Sequence, residues 1–380
     1  MDLKKVYITH TNCITPLGFD VESNVQAIAK GETGISRQEN GMLPEPFFAG
    51  VINNDTLDTA FTAISKEPYT RLEKMMLLAL QPVVQKSGVT FDDKTALILS
   101  TTKGNITSLP AEGNLSDNVY LQGLAKNVAD FFGFTTQPIV ISNACVSGIM
   151  AISVAKRLIQ SGLYDTIFVV AGDEVSEFVL SGFNSFQAMS NVPCKPYSAD
   201  RSGVTLGEAA AAVLVTKDLA EAKAKITGDG SINDANHISG PSRTGEGLVR
   251  SIENALSEAG IGSDTIDYIS AHGTATSFND EMEAVAFNRL NLQDVPVNSF
   301  KGYYGHTLGA SGLLETVIAL ECMAQNKVFK SLGYDEPGVS QPINVITKNE
   351  DRKINYFLKT ASGFGGCNTA VVFEKTSDGR

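Results

Sequence analysis

Cys145 stands in the run SNACVSG, directly after the apolar strand candidate PIVISN and directly before the helix candidate GIMAISVAKRLIQSG. A thiol at that place meets the unpaired N–H groups and the positive end of a helix dipole, which favour a thiolate nucleophile. Ser147 and Gly148 keep the turn tight and leave room for a substrate. The competing reading is a structural thiol, because free cysteine is among the most buried residue types. Cys13, Cys194, Cys322 and Cys367 lack this context and read as structural.

The chain has only four histidines. His272 ends an apolar strand in YISAHGTAT, and His306 lies in the turn KGYYGHTLGASG before a helix pattern. Glycines flank both, so a ligand can approach the backbone closely. A neutral imidazole there can donate a hydrogen bond or move a proton near neutral pH. No carboxylate or further histidine stands at ligand spacing from either, so a metal site is not indicated. His10 and His237 read as structural. The glycine-rich run SGFGGCNT, Ser362 to Thr369, neither opens a helix nor carries the lysine of a phosphate-binding loop. It reads instead as a loop offering backbone N–H groups to an oxyanion.

These groups need a scaffold that carries strand ends to one place. Strand candidates are KVYITH, TALILS, PIVISN, TIFVVAG, AAAVLVT, IDYISAHG, VPVNSF, NYFLKTA and TAVVFEK. They are continuous rather than alternating, as strands buried on both faces should be. Helix candidates lie between them, among them YTRLEKMMLLALQPVVQKSG, GEGLVRSIENALSEAG and GLLETVIALECMAQN. Strand–helix alternation predicts an α/β layered fold. The stretch PIVISNACVSGIMAISVAKRLIQSG and the stretch VPVNSFKGYYGHTLGASGLLETVIALECMAQNK share one plan of strand, tight turn and helix, which suggests a duplicated half. The charged run KDLAEAKAK, from Lys217 to Lys225, reads as a solvated helical turn or as the join between halves.

Taken together, the motifs resemble the β-ketoacyl-acyl-carrier-protein synthases of the elongating class, over nearly the whole chain. SNACVSG is similar to the family's nucleophile elbow, and KPYSADRSGVTLGEAAAAVLV to its central block. AHGTATSFND, KGYYGHTLGASG and GFGGCN are similar to its histidine, Lys-x-x-x-Gly-His and gating-loop motifs, in the same order. The resemblance implies a thiolase-like fold in which two similar halves, residues 1–220 and 221–380, form a five-layer α-β-α-β-α sandwich, normally dimeric. Cys145 would hold the growing acyl chain as a thioester. His272 and His306 would serve decarboxylation of a malonyl-carrier protein and stabilise the enolate. The N–H groups of Cys145 and Phe364 would form the oxyanion hole. Lys301 and Glu315 match the charged pair near the second histidine, with Asp280 in support. Thr274 and Thr276 match the threonines that hold the phosphopantetheine arm, and Phe364, with Phe183 and Phe186, the gate of the acyl pocket. The implied partners are an acyl carrier protein and a second synthase subunit, identical or paralogous, with no metal or redox cofactor.

The chain departs from the family pattern at Ser277, where proline is usual, at Cys367, where a threonine or similar small residue is usual, and at Phe186 and Gln187. The last two would alter carrier docking or reshape the acyl pocket. A chain-length-factor-like partner subunit and a thiolase are the alternatives. The first would lack the nucleophile, and the second would use another cysteine as base, a part for which Cys367 is the candidate.

Lys+Arg total 30 and Asp+Glu 42, for a formal net charge of -12. That balance argues against broad nucleic-acid binding and against docking on anionic membranes. Five cysteines at wide spacing, with no C-x-x-C pair, indicate neither a disulfide framework nor a zinc site and suggest a reducing cytoplasm. Neither a secretory signal nor a membrane span is expected: the charge-free stretch from Phe131 to Ala155 is interrupted by Pro138, Asn143 and Gln137. Carrier proteins are typically acidic, so a local basic patch is expected at the site's mouth, with Lys66, Arg71 and Lys74 on one helix, and Lys126, as candidates.

Overall fold

The computed structural model describes residues 4–110, 113–236 and 240–376. Ten strands form the main sheet: β1 (Tyr7–Ile14), β2 (Thr95–Ser100), β3 (Ile139–Ile141), β4 (Thr166–Asp173), β5 (Ala209–Thr216), β6 (Ala224–Asn233), β7 (Tyr268–Ser270), β8 (Val297–Asn298), β9 (Tyr356–Gly363) and β10 (Cys367–Lys375). Their spatial order is β8-β7-β9-β10-β6-β1-β5-β4-β2-β3. From the middle outward, each half repeats one pattern. β1 pairs antiparallel with β5 and β5 with β4, and then β4-β2 and β2-β3 are parallel. In the other half β6-β10 and β10-β9 are antiparallel, and β9-β7 and β7-β8 parallel. Only Tyr7 with Lys225 and Ile8 with Ala224 pair across the seam between β1 and β6.

The helices that matter to the site are α1 (Arg71–Ser87), α2 (Leu121–Phe132), α3 (Ser147–Gln160), α4 (Glu177–Ser185), α5 (Glu246–Ala259), α6 (Ser277–Arg289) and α7 (Ser311–Gln325). Period-two alternation sorts each strand's side chains between two cores. In β4, Phe168 and Val170 pack with α1 and α2, while Ile167 and Val169 pack with α3 and α7. In β10, Ala370 and Val372 pack with α5 and α6, while Val371 and Phe373 join the same central core. The sheet therefore folds back at the seam around α3 and α7, and five layers result, as the thiolase-like expectation has it.

One strand of the main sheet escaped the sequence reading. β6 covers AKITGDGSIN, whose glycines argue against a strand by propensity. Both are needed by packing. A Cβ on Gly228 would lie 2.0 Å from the Ala255 carbonyl oxygen, and one on Gly230 2.2 Å from that of Ser251, so the backbone of α5 lies directly on the strand. The run Lys217–Lys225 is accordingly no helical turn: it is the bend from β5 into β6, and Lys225 already pairs in the sheet.

Helix α1 begins where its sequence says it must. The Thr70 hydroxyl caps the Glu73 N–H and the Glu73 carboxylate caps the Thr70 N–H, and Gly88 closes the last turn in the left-handed region. Helices α3 and α7 occupy equivalent places in the two halves and meet at their first turns. A Cβ on Gly148 would lie 2.7 Å from the Gly309 carbonyl oxygen, and one on Gly312 2.7 Å from the Ile149 nitrogen. This contact brings the loop before each helix to the same point. Gly312→Ala should cost about 1–3 kcal/mol of stability through overpacking against backbone. Gly182→Ala, within α4 and with open space beyond it, should be neutral or slightly stabilising. Thermal denaturation of the two variants checks the contrast.

Candidate active site

Cys145 sits on a strained turn between β3 and α3. Ala144 before it has φ +44°, in the left-handed region that a side chain disfavours. Ser147 compensates: its hydroxyl donates to the Ala144 carbonyl at 2.6 Å and accepts the Asn143 N–H at 2.8 Å. The thiol is buried, and the Phe364 N–H donates to its sulfur. Burial pushes the Cys145 thiol up to about 12, and nearby Cys367 adds to the rise, while the Lys301 ammonium and the Phe364 N–H oppose it. The expectation of a resting thiolate is therefore corrected: desolvation of the anion outweighs the field at the start of α3.

His272 and His306 are both buried, and their rings meet nearly perpendicular, with centroids 5.2 Å apart. Lys301 Nζ donates to the His272 carbonyl at 2.6 Å, lies 2.6 Å from Glu315 Oε1, and faces His272 Nδ1 at 3.4 Å. Nδ1 of His306 lies 2.9 Å from Ser311 Oγ, which also accepts the Thr307 N–H at 3.0 Å. Both imidazoles are held well below the ordinary histidine value, by burial first and then by the Lys301 charge. They are neutral at pH 7.

The first turns of α6 fix the His272 loop. Glu283 accepts the N–H of His272 at 2.8 Å and of Gly273 at 2.7 Å, and also the Tyr197 hydroxyl. Asp280 accepts the N–H of Thr274 and of Tyr197. Burial pushes Asp280 up to about 7. Thr274 and Thr276 hold each other through their hydroxyls at 2.8 Å.

A cavity of about 260 Å³ joins these parts, lined by Cys145, His272, His306, Thr274, Thr276 and Phe364, among others. Phe364 stacks on Phe183 at 5.3 Å and meets the edge of Phe186 at 5.6 Å, so three aromatic rings close one side of it. Phe183, Phe186, Gln187 and Ser277 all line the cavity, so three of the four departures from the family pattern face the site. The fourth, Cys367, lies directly behind the elbow, its thiol 3.8 Å from the Asn143 carbonyl and 3.6 Å from that of Phe364.

The proposed basic patch is corrected. Lys66 lies in the loop before α1, not on it. Arg71 binds buried Glu208 and the Ile52 carbonyl, Lys74 pairs with Asp58 at 2.6 Å, and Lys126 pairs with Asp130. None of the four lines the cavity. Arg71 is drawn inward by buried Glu208 and Lys74 is paired with exposed Asp58, carboxylates off the helix that a helical charge pattern does not reveal. His10 binds the Lys86 carbonyl at 3.0 Å, away from the site, and His237 lies outside the described residues.

Sequence reasoning missed Glu283, Ser311 and Lys359. Glu283 follows Asp280 by three residues, a spacing that puts both on one helix face. Ser311 closes the turn that His306 opens. Lys359 interrupts the apolar run YFL of β9, and its Nζ lies 2.7 Å from Glu315 Oε2. A charge inside a buried strand was the available signal.

The profile described as "Beta-ketoacyl synthase, N-terminal domain" matches residues 3–221, and "Beta-ketoacyl synthase, C-terminal domain" matches residues 223–335. The chain is 25% identical to the 3-oxoacyl-[acyl-carrier-protein] synthase 2 of Staphylococcus aureus, over 98% of each chain. Among solved structures it is similar to a β-ketoacyl synthase from Burkholderia phymatum, with TM-score 0.89 and 24% identity over 98% of this chain and 100% of that one. It is similar also to a chain of the complex between the ketosynthase ApeO and its chain length factor ApeC, from Xenorhabdus doucetiae, with TM-score 0.85 and 24% identity over 98% of each. Among the described residues, no helix is long and apolar enough to cross a membrane.

Proposed function

This chain belongs to the beta-ketoacyl synthase family, and from that premise we propose that it is itself a catalytic, elongating synthase rather than a chain-length-factor-like partner. The observation that carries the reading is the convergence of Cys145 with two neutral, perpendicular imidazoles on one cavity. Each imidazole has its Nδ1 already engaged. An ammonium can only donate, so Lys301 makes His272 Nδ1 an acceptor and leaves the proton on Nε2. At His306 the same tautomer has the Ser311 hydroxyl, which accepts the Thr307 N–H and lies 3.1 Å from the Thr307 hydroxyl, donating to Nδ1. Two Nε2–H donors then serve one oxygen.

The reaction proceeds in two halves. Cys145 attacks an acyl thioester on a carrier protein. The new S–acyl bond forms as the carrier's thiolate leaves, and that thiolate takes the proton Cys145 gives up. A malonyl-carrier protein then enters, its arm passing Thr274 and Thr276. Its C–CO₂ bond breaks to release carbon dioxide, and the electron pair moves onto the thioester oxygen, held by the Nε2–H groups of His272 and His306. The resulting carbanion attacks the acyl group on Cys145. The N–H groups of Cys145 and Phe364 stabilise the tetrahedral oxyanion, and its collapse forms the 3-ketoacyl chain on the carrier and releases the Cys145 sulfur as a thiolate, which takes a proton from water to restore the thiol. Such preorganised donors cost no reorganisation as the charge develops. The steps balance without a metal or redox cofactor. The chain acts as a dimer, with itself or with a paralogue, in fatty acid, polyene or polyketide synthesis.

The test supplies acyl- and malonyl-carrier proteins together and follows the carrier by intact mass. The expected product is a chain longer by two carbons and bearing a 3-keto group, formed with one carbon dioxide. A protein that takes up the acyl group yet never extends it, with carriers of several chain lengths, is not an elongating synthase.

A further inference from the structure

Lys359 has no part in the reaction as written, although it is fully buried a few ångströms behind the imidazoles' support. Its Nζ lies 2.6 Å from the Thr360 carbonyl oxygen, 2.7 Å from Glu315 Oε2 and 3.1 Å from the Ser270 carbonyl oxygen, with the Ala271 carbonyl at 3.4 Å. Every neighbour is an acceptor. A neutral amine would have to turn its lone pair on one of them, so the geometry calls for an ammonium, which the Glu315 charge favours against the burial that lowers its value. Glu315 gives its other oxygen to Lys301. Two buried ammonium groups thus share one carboxylate, and the triad holds one positive charge in excess. Glu283, whose carboxylate accepts the Thr360 hydroxyl at 3.3 Å, balances that excess only from a distance; a buried charge is costly, and a methionine would fill the same length of strand without it.

Few other charges bear on the two imidazoles. His272 faces Lys301 at Nδ1 and His306 across the site, while Glu283 and Asp280 from α6 accept N–H groups of its loop. His306 faces Ser311, with Lys301 and Lys359 beyond, and Asp173 from β4 accepts the Gly309 N–H in the turn that follows it. Each of these three carboxylates is occupied by N–H donors. Lys301 and Lys359 are the fixed positive charges acting on both rings.

We propose that Lys359 is a positioning residue for the decarboxylation step, clamping Glu315 and the carbonyls just before His272 while holding an excess positive charge behind the place where the enolate oxygen forms. The proposal rests on the condensing-enzyme reading. It has a geometric part and an electrostatic part. The ammonium ties Ser270 and Ala271, the two residues preceding His272, to the same carboxylate that orients Lys301. Its charge disfavours an imidazolium at either histidine and favours an anion in the cavity.

The test compares wild type with Lys359→Met and with Lys359→Gln, which keeps hydrogen-bond donors but no charge. Decarboxylation of malonyl-carrier protein is followed from pH 5 to 8, and the imidazole ¹⁵N signals are titrated over the same range. Loss of a positive charge raises the imidazole values, so the acid limb of the rate profile moves to higher pH. The expected result is a kcat lower by about 10- to 100-fold at pH 7, with KM for malonyl-carrier protein changed less than about twofold. The acid limb and the titrations of His272 and His306 should rise by about half a pH unit or more, with His10 unmoved. Folded variants whose acid limb and imidazole titrations match wild type overturn the proposal. If Lys359→Met does not fold, Lys359→Gln decides. If wild type itself never decarboxylates the malonyl group, the condensing reading fails, and the imidazole titrations still judge the charge of Lys359.

Discussion

Cys145→Ala should leave no acyl adduct on the protein after incubation with acyl-carrier protein, and condensation should fall by at least about 10⁴-fold. The loss is near total because no neighbour can substitute. The Thr274 and Thr276 hydroxyls bond each other, and the Cys367 thiol is turned toward the Asn143 and Phe364 carbonyls. Intact mass spectrometry reads the adduct directly, and equal acylation of wild type and variant would sink the assignment. Decarboxylation of malonyl-carrier protein should persist in the variant, because it depends on the imidazoles. The thiol also has a pH signature. It is pushed up to about 12, so its thiolate fraction stays far below saturation at neutral pH. Alkylation of Cys145 by iodoacetamide should therefore rise by about tenfold per pH unit from pH 7 to 9. A rise that flattens as the pH passes about 8.5 would show instead that the thiol ionises as an exposed one does.

His272→Ala should reduce malonyl decarboxylation by about 10²- to 10³-fold, the usual cost of one preorganised donor to a developing oxyanion. Acylation of Cys145 should be far less affected, since that half-reaction places its charge at the Cys145 and Phe364 N–H groups. The two half-reactions can be measured separately, as carbon dioxide release and as acyl adduct, and only a split between them fits the assigned role. Equal loss in both would mean that the variant has collapsed the cavity. His306→Asn should be milder than His306→Ala, because an amide can still present an N–H to the same oxygen.

Cys145, His272 and His306, which the structure brings to one cavity, stand out in the sequence because each lies where an element ends, beside glycines, and element ends are what hydrophobic runs reveal. The two-half plan was legible for the same reason: strand, turn and helix recur with the same apolar pattern around Cys145 and around His306. β6 was not, since Gly228 and Gly230 answer to the backbone of α5 rather than to strand propensity. The basic patch was misread because Arg71 and Lys74 are held by Glu208 and Asp58, partners that no helical periodicity brings near.

By itself the sequence determined the α/β layering, the candidate reactive groups and the order in which they occur along the chain. Those depend on local spacing and on burial pattern, which are written residue by residue. Tertiary structure decided the electrical state of those groups. Burial keeps Cys145 a thiol and the imidazoles neutral, and Lys301, Glu315 and Lys359 from three separate elements set the charge behind them. A charge's worth depends on the dielectric around it and on partners distant in sequence, and both come into being only when the chain has folded around it.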